Sequence, residues 1–433
     1  MQSENCEIKI TAMKLNTRNQ KIICCLCAVL ISSVALAQQE GESKSLLQKV
    51  KKLADASMVH GVDTNYIKIP ELPWQVSIKS RVAQTDLQMH STIDGGELFD
   101  GGGTMPLIQG VGDMATDPRI MTRISTSMGV KVGYKGISLS YSFPIGGDKG
   151  QNLSFKSMGR WYSVNLRWHK FKAKQARIHY EGAARYRWVT DPNATTEEEF
   201  FTDWFEPESW NLTEKEPFPS PVNLQTLIFD GCYIFNSKKF SYAAAYNQKT
   251  YQVRSAGSPI VGLMAYYADF KYNNPRNAEL IYEMDGIGRL RQYQLSLGGG
   301  YAYNFVPAKG WLISGMFMPM LTLMNRTRIN TYKSNVKEIA HEHLTDYAIA
   351  LWEDENAEYP ELSPDKYKIE STGVHSHNNR LALNFTARLS VTYNWDRYFI
   401  NANGQFNNFN YKHNAMHGHL NDWFINAAVG VRL

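Results

Sequence analysis

The fold is decided by stretches such as Leu381–Trp395, LALNFTARLSVTYNW, in which two kinds of side chain alternate. The odd positions are Leu, Leu, Phe, Ala, Leu, Val, Tyr and Trp, whereas the even positions are mostly Asn, Thr, Arg and Ser. Successive residues of a β-strand point to opposite faces, so this alternation predicts a strand with one apolar and one polar face. The stretch is also much longer than an average strand of about 5–6 residues.

The same period of two recurs in 137–145, 178–188 and 293–305, and again at the C-terminus in 423–433. A tilted strand needs about 9–11 residues to cross a bilayer, and membrane barrels carry aromatic residues where their strands meet the two interfaces. The aromatic residues near the ends of the candidate strands are Trp168, Trp188, Trp311, Trp395, Tyr398 and Trp423. Strand length and aromatic placement therefore favour a membrane barrel over a soluble β-protein.

We predict an all-β fold, a transmembrane antiparallel outer-membrane β-barrel that follows a short N-terminal helix within 42–60. Closed barrels of this class have an even number of strands, so an additional strand at 276–285 gives a prediction of 14 strands. Twelve strands is the alternative, if two of the candidate segments fold inward. The other candidate strands are 74–90, 122–134, 136–145, 156–170, 176–189, 222–235, 240–252, 259–272, 290–306, 311–329, 380–395, 397–411 and 421–433.

The N-terminus has the pattern of an export signal, because cationic residues precede the apolar run Ile22–Ala37, which ends in small residues. Translation starts at Met1 or Met13, and we expect cleavage after Ala37 and a final location in the cell outer membrane. The predicted parts are a signal peptide at 1–37, a periplasmic segment at 38–73 and a barrel at 74–433. Its long extracellular loops are expected at 91–121, 190–221 and 330–378, with short turns between the other strands.

Several short motifs resemble those of an uncharacterised family of outer-membrane barrel proteins, catalogued as a domain of unknown function. The resemblance covers about residues 60–433 and implies a barrel in the outer membrane, without catalytic or binding residues to transfer. The motifs are Asp63–Ile67 with Trp74, Phe235-Asn236, Phe240–Tyr242, Ser255–Ser258, Gly298–Phe305 and Gly310-Trp311.

Charged residues occupy the polar phase of several strands, which predicts that they line the barrel interior. Such a lumen would prefer anions, although a network of ion pairs that rigidifies a narrow barrel would show the same pattern. Turning an Arg towards lipid would cost about 2–4 kcal/mol at the membrane midplane, which favours the inward orientation. The predicted lumen-lining residues are Arg167, Arg177, Glu181, Arg185, Arg187, Asp269, Lys271, Arg380, Arg388 and Arg432.

Histidines form three His-x-His pairs in segments that we assign to the extracellular side. Residues i and i+2 of a strand point the same way, so each pair could chelate one ion, but the spacing matches no established site type. The candidate metal ligands are His341, His343, His375, His377, His417 and His419. Acidic loops such as 190–221, with nine Asp or Glu and one Lys, would attract divalent cations, or would simply be solvated.

The predicted function is a channel or transport pore for small solutes, with anions favoured. One alternative is an outer-membrane enzyme that acts at the extracellular rim through residues such as His343, Asp346, His377 and His419. Another is a protein that binds a partner at the surface or maintains the envelope. We expect outer-membrane lipid and the barrel assembly machinery as partners, a small solute as ligand, no cofactor and no nucleic acid, because the basic residues are scattered along strands.

Overall fold

In the computed structural model, the described residues are 61–94, 108–111, 113–121, 124–146, 150–189, 201–204, 208–339, 342–343, 363–378, 382–413 and 416–433. The predicted signal peptide and the helix expected within 42–60 lie outside them. Within the described ranges, no helix combines the length and the apolar character needed to cross a bilayer.

The described elements are mainly long strands. Two short α-helices, α1 (Tyr242–Tyr246) and α2 (Ala278–Glu283), and two 3₁₀ turns, Pro275–Asn277 and Pro364–Lys366, lie between them. The strands are β1 (Ile67–Lys68), β2 (Trp74–Asp94), β3 (Ile108–Val111), β4 (Asp113–Met121), β5 (Ser125–Tyr134), β6 (Ile137–Gly146), β7 (Gln151–Met158), β8 (Tyr162–Val189), β9 (Phe201–Trp204), β10 (Glu208–Ile234), β11 (Tyr251–Gln252), β12 (Ala256–Lys271), β13 (Ile287–Phe305), β14 (Trp311–Ser334), β15 (Ile369–Asn378), β16 (Leu383–Trp395), β17 (Tyr398–His413) and β18 (Met416–Arg432).

Twelve strands close into an antiparallel ring, in the order β2, β5, β6, β7, β8, β10, β12, β13, β14, β16, β17 and β18. The last strand pairs with the first, from Arg432 opposite Gln75 to His417 opposite His90. The backbones of Trp74 and Leu433 also exchange two hydrogen bonds of 3.0 Å. Closure leaves the ring without an open edge, which lipid would penalise by several kcal/mol for each unpaired group.

The outer face of the ring is apolar over its middle, and alternate residues of each strand are buried inside. Exposed aliphatic side chains such as Ile78, Val261 and Leu389 cover the outside. Aromatic residues surround the end at which Trp74 and Leu433 lie, which we call the base; the opposite end is the top. These base aromatics include Trp74, Tyr303, Phe305, Trp311, Trp395 and Tyr398. The predicted fold class, an outer-membrane type of β-barrel, is confirmed, with the alternative strand number of 12.

The prediction of a strand at 240–252 is wrong, because this segment folds into the lumen. We call 235–255, which connects β10 and β12 at the base, the inward segment. Its core is α1, whose sequence includes Ala243–Ala245; alanine is the strongest helix former. The Ser241 hydroxyl caps the helix by accepting a bond from the Ala244 amide. The segment ends in β11, which pairs with β1.

The additional strand predicted at 276–285 is also wrong. Pro275–Asn277 forms a 3₁₀ turn, and α2 follows directly. The Asn274 side chain accepts a bond from the Arg276 amide, and Pro275 supplies a fixed φ for the first turn. The strand was predicted only to make the strand number even, and the helix signals of this segment exclude it.

The predicted strands 156–170 and 176–189 are divided at the wrong place. A single strand, β8, runs from Tyr162 to Val189, since residues 172–175 contain no residue that favours a turn. The actual turn lies at 159–161, where it joins β7 to β8. Because 240–252 and 276–285 form helices instead of wall strands, and β7 and β8 replace the two predicted strands, fourteen strands become twelve.

Strands also extend into regions that were predicted as long loops. In 91–121, β4 pairs with the upper halves of both β2 and β8, so that it replaces β5, β6 and β7 in the ring at that level. In 190–221, β10 begins at Glu208, and in 330–378 β15 pairs with the end of β14. The remaining parts of these loops lie mostly outside the described residues.

The lumen is filled in three layers. Towards the top, buried apolar side chains form a layer in which the Tyr266 and Phe409 rings stack with centroids 3.9 Å apart. At the base, the inward segment buries Phe240 and all of α1. A polar cavity lies between these two layers.

Candidate functional site

The candidate site is the cavity in the middle of the barrel, which we call the lumen cavity. It has a volume of about 60 Å³ and opens partly to solvent. Its wall comes from inward-facing residues of β2, β5, β6, β7, β8, β16, β17 and β18, and the inward segment contributes Tyr246 and Gln248. Because the inward-facing residues of each strand are two apart, each strand delivers one to three polar side chains to the same cavity.

Cationic side chains dominate the wall of the lumen cavity. The cavity-lining cations are Lys79, Arg81, Lys131, Lys156, Arg167 and Arg388. Two carboxylates are bonded to them: Arg388 Nη2 lies 2.6 Å from Asp230 Oδ2, and Arg167 Nη2 lies 2.9 Å from Asp422 Oδ2. Within the described residues, the cavity therefore has six cations and two paired carboxylates. Buried charge of one sign is costly unless counter-charge or solvent compensates it.

Arg81 is a cavity-lining cation without a carboxylate partner within salt-bridge distance among the described residues. Its Nε and Nη2 atoms are buried and have no hydrogen-bond partner among the described residues. The guanidinium lies 4.2 Å from the centroid of the Phe424 ring, and the Arg167 guanidinium lies 4.5 Å from the same ring. The Phe424 side chain thus holds two guanidinium groups at one place in the cavity wall. The unpartnered N–H donors of Arg81 remain available to a ligand.

Arg81 also lines a second, smaller cavity of about 20 Å³, which we call the upper cavity. This cavity lies at the top ends of β5, β6 and β7, where the ring passes from these strands to β4. His169 and Asn152 line it, and neither has a hydrogen-bond partner for its buried side-chain N or O atoms among the described residues. Unpartnered polar groups therefore continue from the upper cavity, through Arg81, to the lumen cavity.

The floor of the lumen cavity is formed by backbone carbonyls at the C-terminal end of α1. Lys131 Nζ donates to the carbonyl of Asn247 at 3.0 Å, and Lys156 Nζ donates to that of Tyr246 at 3.2 Å. Ser390 Oγ donates to the Ala245 carbonyl at 2.7 Å. The inward segment is thus held to the wall above it largely by polar contacts with the same cations that line the cavity.

Lys249 follows these carbonyls in the inward segment, outside the membrane-spanning strands. Burial, with a contribution from the nearby Arg432 guanidinium, lowers the pKa of Lys249 to about 7. Its Nζ donates to the Pro73 carbonyl at 3.4 Å, next to the base of β2. Its protonation state therefore changes close to neutral pH.

Three of the predicted lumen-lining residues face inward. Arg167 and Arg388 line the lumen cavity, as described above. Arg432 lies nearer the base, where its Nη2 donates to the Gln248 carbonyl at 3.0 Å and to Asn394 Oδ1 at 2.8 Å. Arg177, Glu181, Arg185 and Arg187 lie on the upper part of β8, where only the backbone is described, and Arg380 lies outside the described residues.

The prediction that Asp269 and Lys271 line the lumen is wrong. The buried, inward-facing residues of β12 are the even ones, such as Met264, Tyr266 and Phe270. Asp269 and Lys271 therefore lie on the outer face, near the top end of the strand. They are polar because the outer face leaves the hydrocarbon there, so that polar residues no longer have to point inward.

The candidate histidines do not come together in the part of the chain that the structure describes. His375 and His377 lie on β15, opposite Ile329 and Thr327 of β14. His419 lies on the outer face of β18, where Nδ1 is 3.0 Å from Asn410 Oδ1. The other candidates are His343, in a short helical turn, His417, of which only the backbone is described, and His341, outside the described residues. No group of three or more His, Cys, Asp or Glu that could hold a metal occurs among the described side chains.

Sequence analysis missed four of the six cavity cations, Lys79, Arg81, Lys131 and Lys156. The signal was present, since Lys79 and Arg81 share a phase with Gln75 and Ser77, opposite the apolar phase of β2. Lys131 lies between Val130 and Val132 in the same way. Applying the alternation rule to every strand would have found them.

No curated protein matches the chain in sequence. Among solved structures, the outer-membrane protease OmpT from Escherichia coli aligns with 83 % of this chain and 97 % of its own, at 7 % identity and a TM-score of 0.32. The translocator domain of the autotransporter NalP from Neisseria meningitidis aligns over 94 % and 99 %, at 9 % identity and a TM-score of 0.28. The TodX monoaromatic hydrocarbon channel aligns over 84 % and 91 %, at 6 % identity and a TM-score of 0.26.

At scores this low, the alignments add nothing about the site. The family comparison is stronger, because a single family model matches residues 108–433, which include all of the ring except β2. That model is described as a domain of unknown function, DUF4421. The chain belongs to this family.

Proposed function

We propose that the protein is an outer-membrane channel for small anionic solutes, and that the fold described above is its closed state. The apolar outer face would contact lipid, the short base turns would lie in the periplasm and the long top segments would face outward. The observation that carries the proposal is the position of Arg81. Arg81, whose Nε and Nη2 have no partner among the described residues, lines both the lumen cavity and the upper cavity.

The charge balance supports anion binding rather than a purely structural ion-pair network. A network that only rigidifies the barrel would supply about one carboxylate for each cation, because unpaired buried charge destabilises the fold. Among the described residues, the lumen cavity has six cations, and only two of them, Arg167 and Arg388, are paired with a carboxylate. An anionic solute, bound by Arg81, Lys79 and Lys156, would supply the missing negative charge.

The polar floor gives a physical reason for opening. An anion bound near Lys131 and Lys156 would compete with the carbonyls of Asn247 and Tyr246 for the same ammonium groups. Binding would therefore favour states in which the inward segment is released, since a ligand shifts a population towards the state that it binds better. Water can replace the lost carbonyl contacts when the segment moves.

Purified full-length protein in planar bilayers tests this proposal. We expect discrete conductance steps whose reversal potential in a KCl gradient shows a preference for chloride. Arg81→Gln with Lys156→Gln should reduce that preference, whereas Lys309→Gln, an exposed change at a base turn, should leave it unchanged. A preference for potassium would contradict the proposal, and so would silence of both the wild type and the variant with a loosened inward segment described in the Discussion.

A further inference from the structure

The outer wall of the barrel carries a row of aromatic and aliphatic residues beneath a cluster of cations. The residues of this row are paired across neighbouring strands of the ring. They are Trp168 on β8, Leu227 on β10, Tyr267 on β12 and Tyr293 on β13. The Tyr267 and Tyr293 rings lie 5.0 Å apart. Such amphipathic rings are typical of the membrane interface, so this row indicates where the outer face leaves the hydrocarbon near the top.

Immediately above this row, the outward-facing positions of β8 are all lysines. Lys170, Lys172 and Lys174 follow Trp168 at intervals of two, on the outer face of the strand. Paired with Lys170 and Lys172 are Gln225 and Asn223 of β10, which are neutral. The β8 end of this wall is therefore basic.

The same two rows continue into basic residues on β12, β13 and β14. Gln225 pairs with Asp269, which is opposite Arg291, and Arg291 is opposite Arg328. One row higher, Asn223 pairs with Lys271, which is opposite Arg289. We call the outward-facing Lys and Arg residues of these two rows, together with Lys174 of β8 and Arg326 of β14, the outer basic belt.

Little of this positive charge is neutralised within the described protein. Asp269 is the one carboxylate on the outer face of this part of the described wall. Asp269 forms an ion pair with Arg289, whose Nε and Nη2 lie 2.8 and 2.6 Å from the two carboxylate oxygens. Arg291 donates to Asn330 Oδ1 at 2.7 Å, and its buried Nε has no partner among the described residues. Arg326 and Arg328 are exposed.

The opposite side of the barrel has different chemistry at the corresponding position. Above Trp423 and Phe406, the outward-facing residues of β17 and β18 are Asn408 and Asn421, which donate and accept a bond at 2.8 Å. His419 and Asn410 follow, also bonded to each other. These amide and imidazole side chains bond to one another, whereas the outer basic belt presents charge to the surroundings.

We propose that the outer basic belt binds the phosphate groups of an anionic outer-leaflet lipid. Guanidinium groups match phosphate oxygens with paired donors, and lysine provides a point charge on a long apolar stem that can lie over the aromatic row. The belt lies outside the ring, directly above the interface row, where lipid phosphates would be. The inference is independent of the lumen cavity and of whether the barrel conducts.

The test is binding of diphosphorylated lipid A to the purified full-length barrel in a neutral, non-ionic detergent. Arg291→Gln with Arg326→Gln and Arg328→Gln removes three cations of the belt on β13 and β14, and Lys170→Gln with Lys172→Gln and Lys174→Gln removes its three lysines on β8. A control of equal charge change, Lys68→Gln with Lys309→Gln and Arg397→Gln, lies at the base. We expect each belt variant to raise the dissociation constant for lipid A about tenfold or more. The control should stay within about twofold of the wild-type value.

Two further arms identify the ligand. Lipid A without its phosphates should bind about tenfold more weakly than the intact lipid. Raising the salt concentration to about 1 M should weaken the binding of intact lipid A, because salt screens the charges. Inorganic phosphate alone, if it binds as tightly as lipid A, would show that the belt recognises the free ion and would overturn the lipid assignment. Equal binding of lipid A by wild type and both belt variants, each shown to be folded by its heat-modifiable gel migration, would overturn the proposal entirely.

Discussion

The Nη2 atom of Arg167 lies 2.9 Å from Oδ2 of Asp422, and the two side chains are 2 % and 1 % exposed. The Asp422 carboxylate also accepts bonds from Asn407 at 3.3 Å and Thr85 at 3.3 Å. This carboxylate therefore organises the cation-rich side of the lumen cavity next to Arg81. Its removal would leave a buried guanidinium without its partner.

We expect Asp422→Asn to lower the free energy of unfolding by about 3–5 kcal/mol, because breaking a buried pair leaves an uncompensated charge. The measurement is urea unfolding of the refolded barrel in detergent. Asp396→Asn, which removes an exposed partner of Arg397 at a base turn, is the matched control and should change stability by less than about 1 kcal/mol. Equal stability of both variants would show that the cavity is hydrated enough to screen Arg167.

A second prediction concerns the contact between the inward segment and the wall. Ser390 and Asn401 donate to the Ala245 carbonyl at 2.7 and 3.3 Å, so Ser390→Ala with Asn401→Ala removes two attachments of α1. We expect the fraction of time that single barrels conduct in planar bilayers to rise several-fold. Each lost bond is worth about 1 kcal/mol, or roughly a fivefold change in an equilibrium.

The control for this variant is Ser77→Ala. Ser77 is a buried serine on the lumen wall whose hydroxyl has no partner among the described residues. It should leave conductance unchanged. If both variants behave like the wild type, the inward segment does not control the lumen.

The third prediction is a pH dependence that arises from Lys249. The folded, closed barrel holds its proton less tightly than a solvated lysine, whose pKa is about 10.4, because of burial and the neighbouring Arg432. Lys131, on β5, is a further titratable group near Lys249. If opening moves Lys249 into water, the open state binds one more proton than the closed state between about pH 7 and pH 10. Rising pH therefore favours the closed state over this range.

We therefore expect the opening equilibrium to fall by at most about tenfold per pH unit above pH 7 and to be flat below it. Open probability measured between pH 6 and pH 9, at fixed salt, checks this. Lys249→Met should abolish the dependence, and Lys238→Met, an exposed change in the same segment, should preserve it. A dependence that survives in Lys249→Met would assign it to another group.

A fourth prediction uses two glycines on neighbouring strands of the wall. A Cβ atom on Gly430 would lie 2.2 Å from the Phe399 ring and 2.7 Å from Ser77 Cβ. On Gly404 the nearest atoms would be 3.4 Å away or more. Gly430→Ala should thus destabilise the barrel by about 1–3 kcal/mol in urea unfolding, with Gly404→Ala close to wild type. The reverse order would mean that β18 is not packed against Phe399.

Much of the wall could be predicted from sequence, because lipid on one side imposes a period of two. Strands such as β14 and β17 follow the predicted segments 311–329 and 397–411 closely. The rule failed at 240–252, where Tyr242 and Tyr246 face the lumen from a helix rather than a strand. An alternating pattern shows which side chains avoid water, but it does not distinguish a wall strand from an element inside the lumen. An element inside the lumen is buried on most of its sides.

The site was less predictable, for two physical reasons. The assignment of polar residues to the lumen holds only within the hydrocarbon band, which is why Asp269 and Lys271 were misplaced. Pairings such as Arg388 with Asp230, which are 158 positions apart, depend on the order of strands in the ring. The sequence shows the phase of each charge but not its partner across the lumen.

If the lumen cavity binds anions, as we propose, a heavy anion should be found in it by crystallography. We predict that crystals of the full-length protein grown with bromide will show an anomalous peak within contact distance of the Arg81 guanidinium, between Arg167 and Lys156. Arg81→Gln crystals should lack the peak. Peaks confined to the outer surface, with only water beside Arg81, would contradict the account.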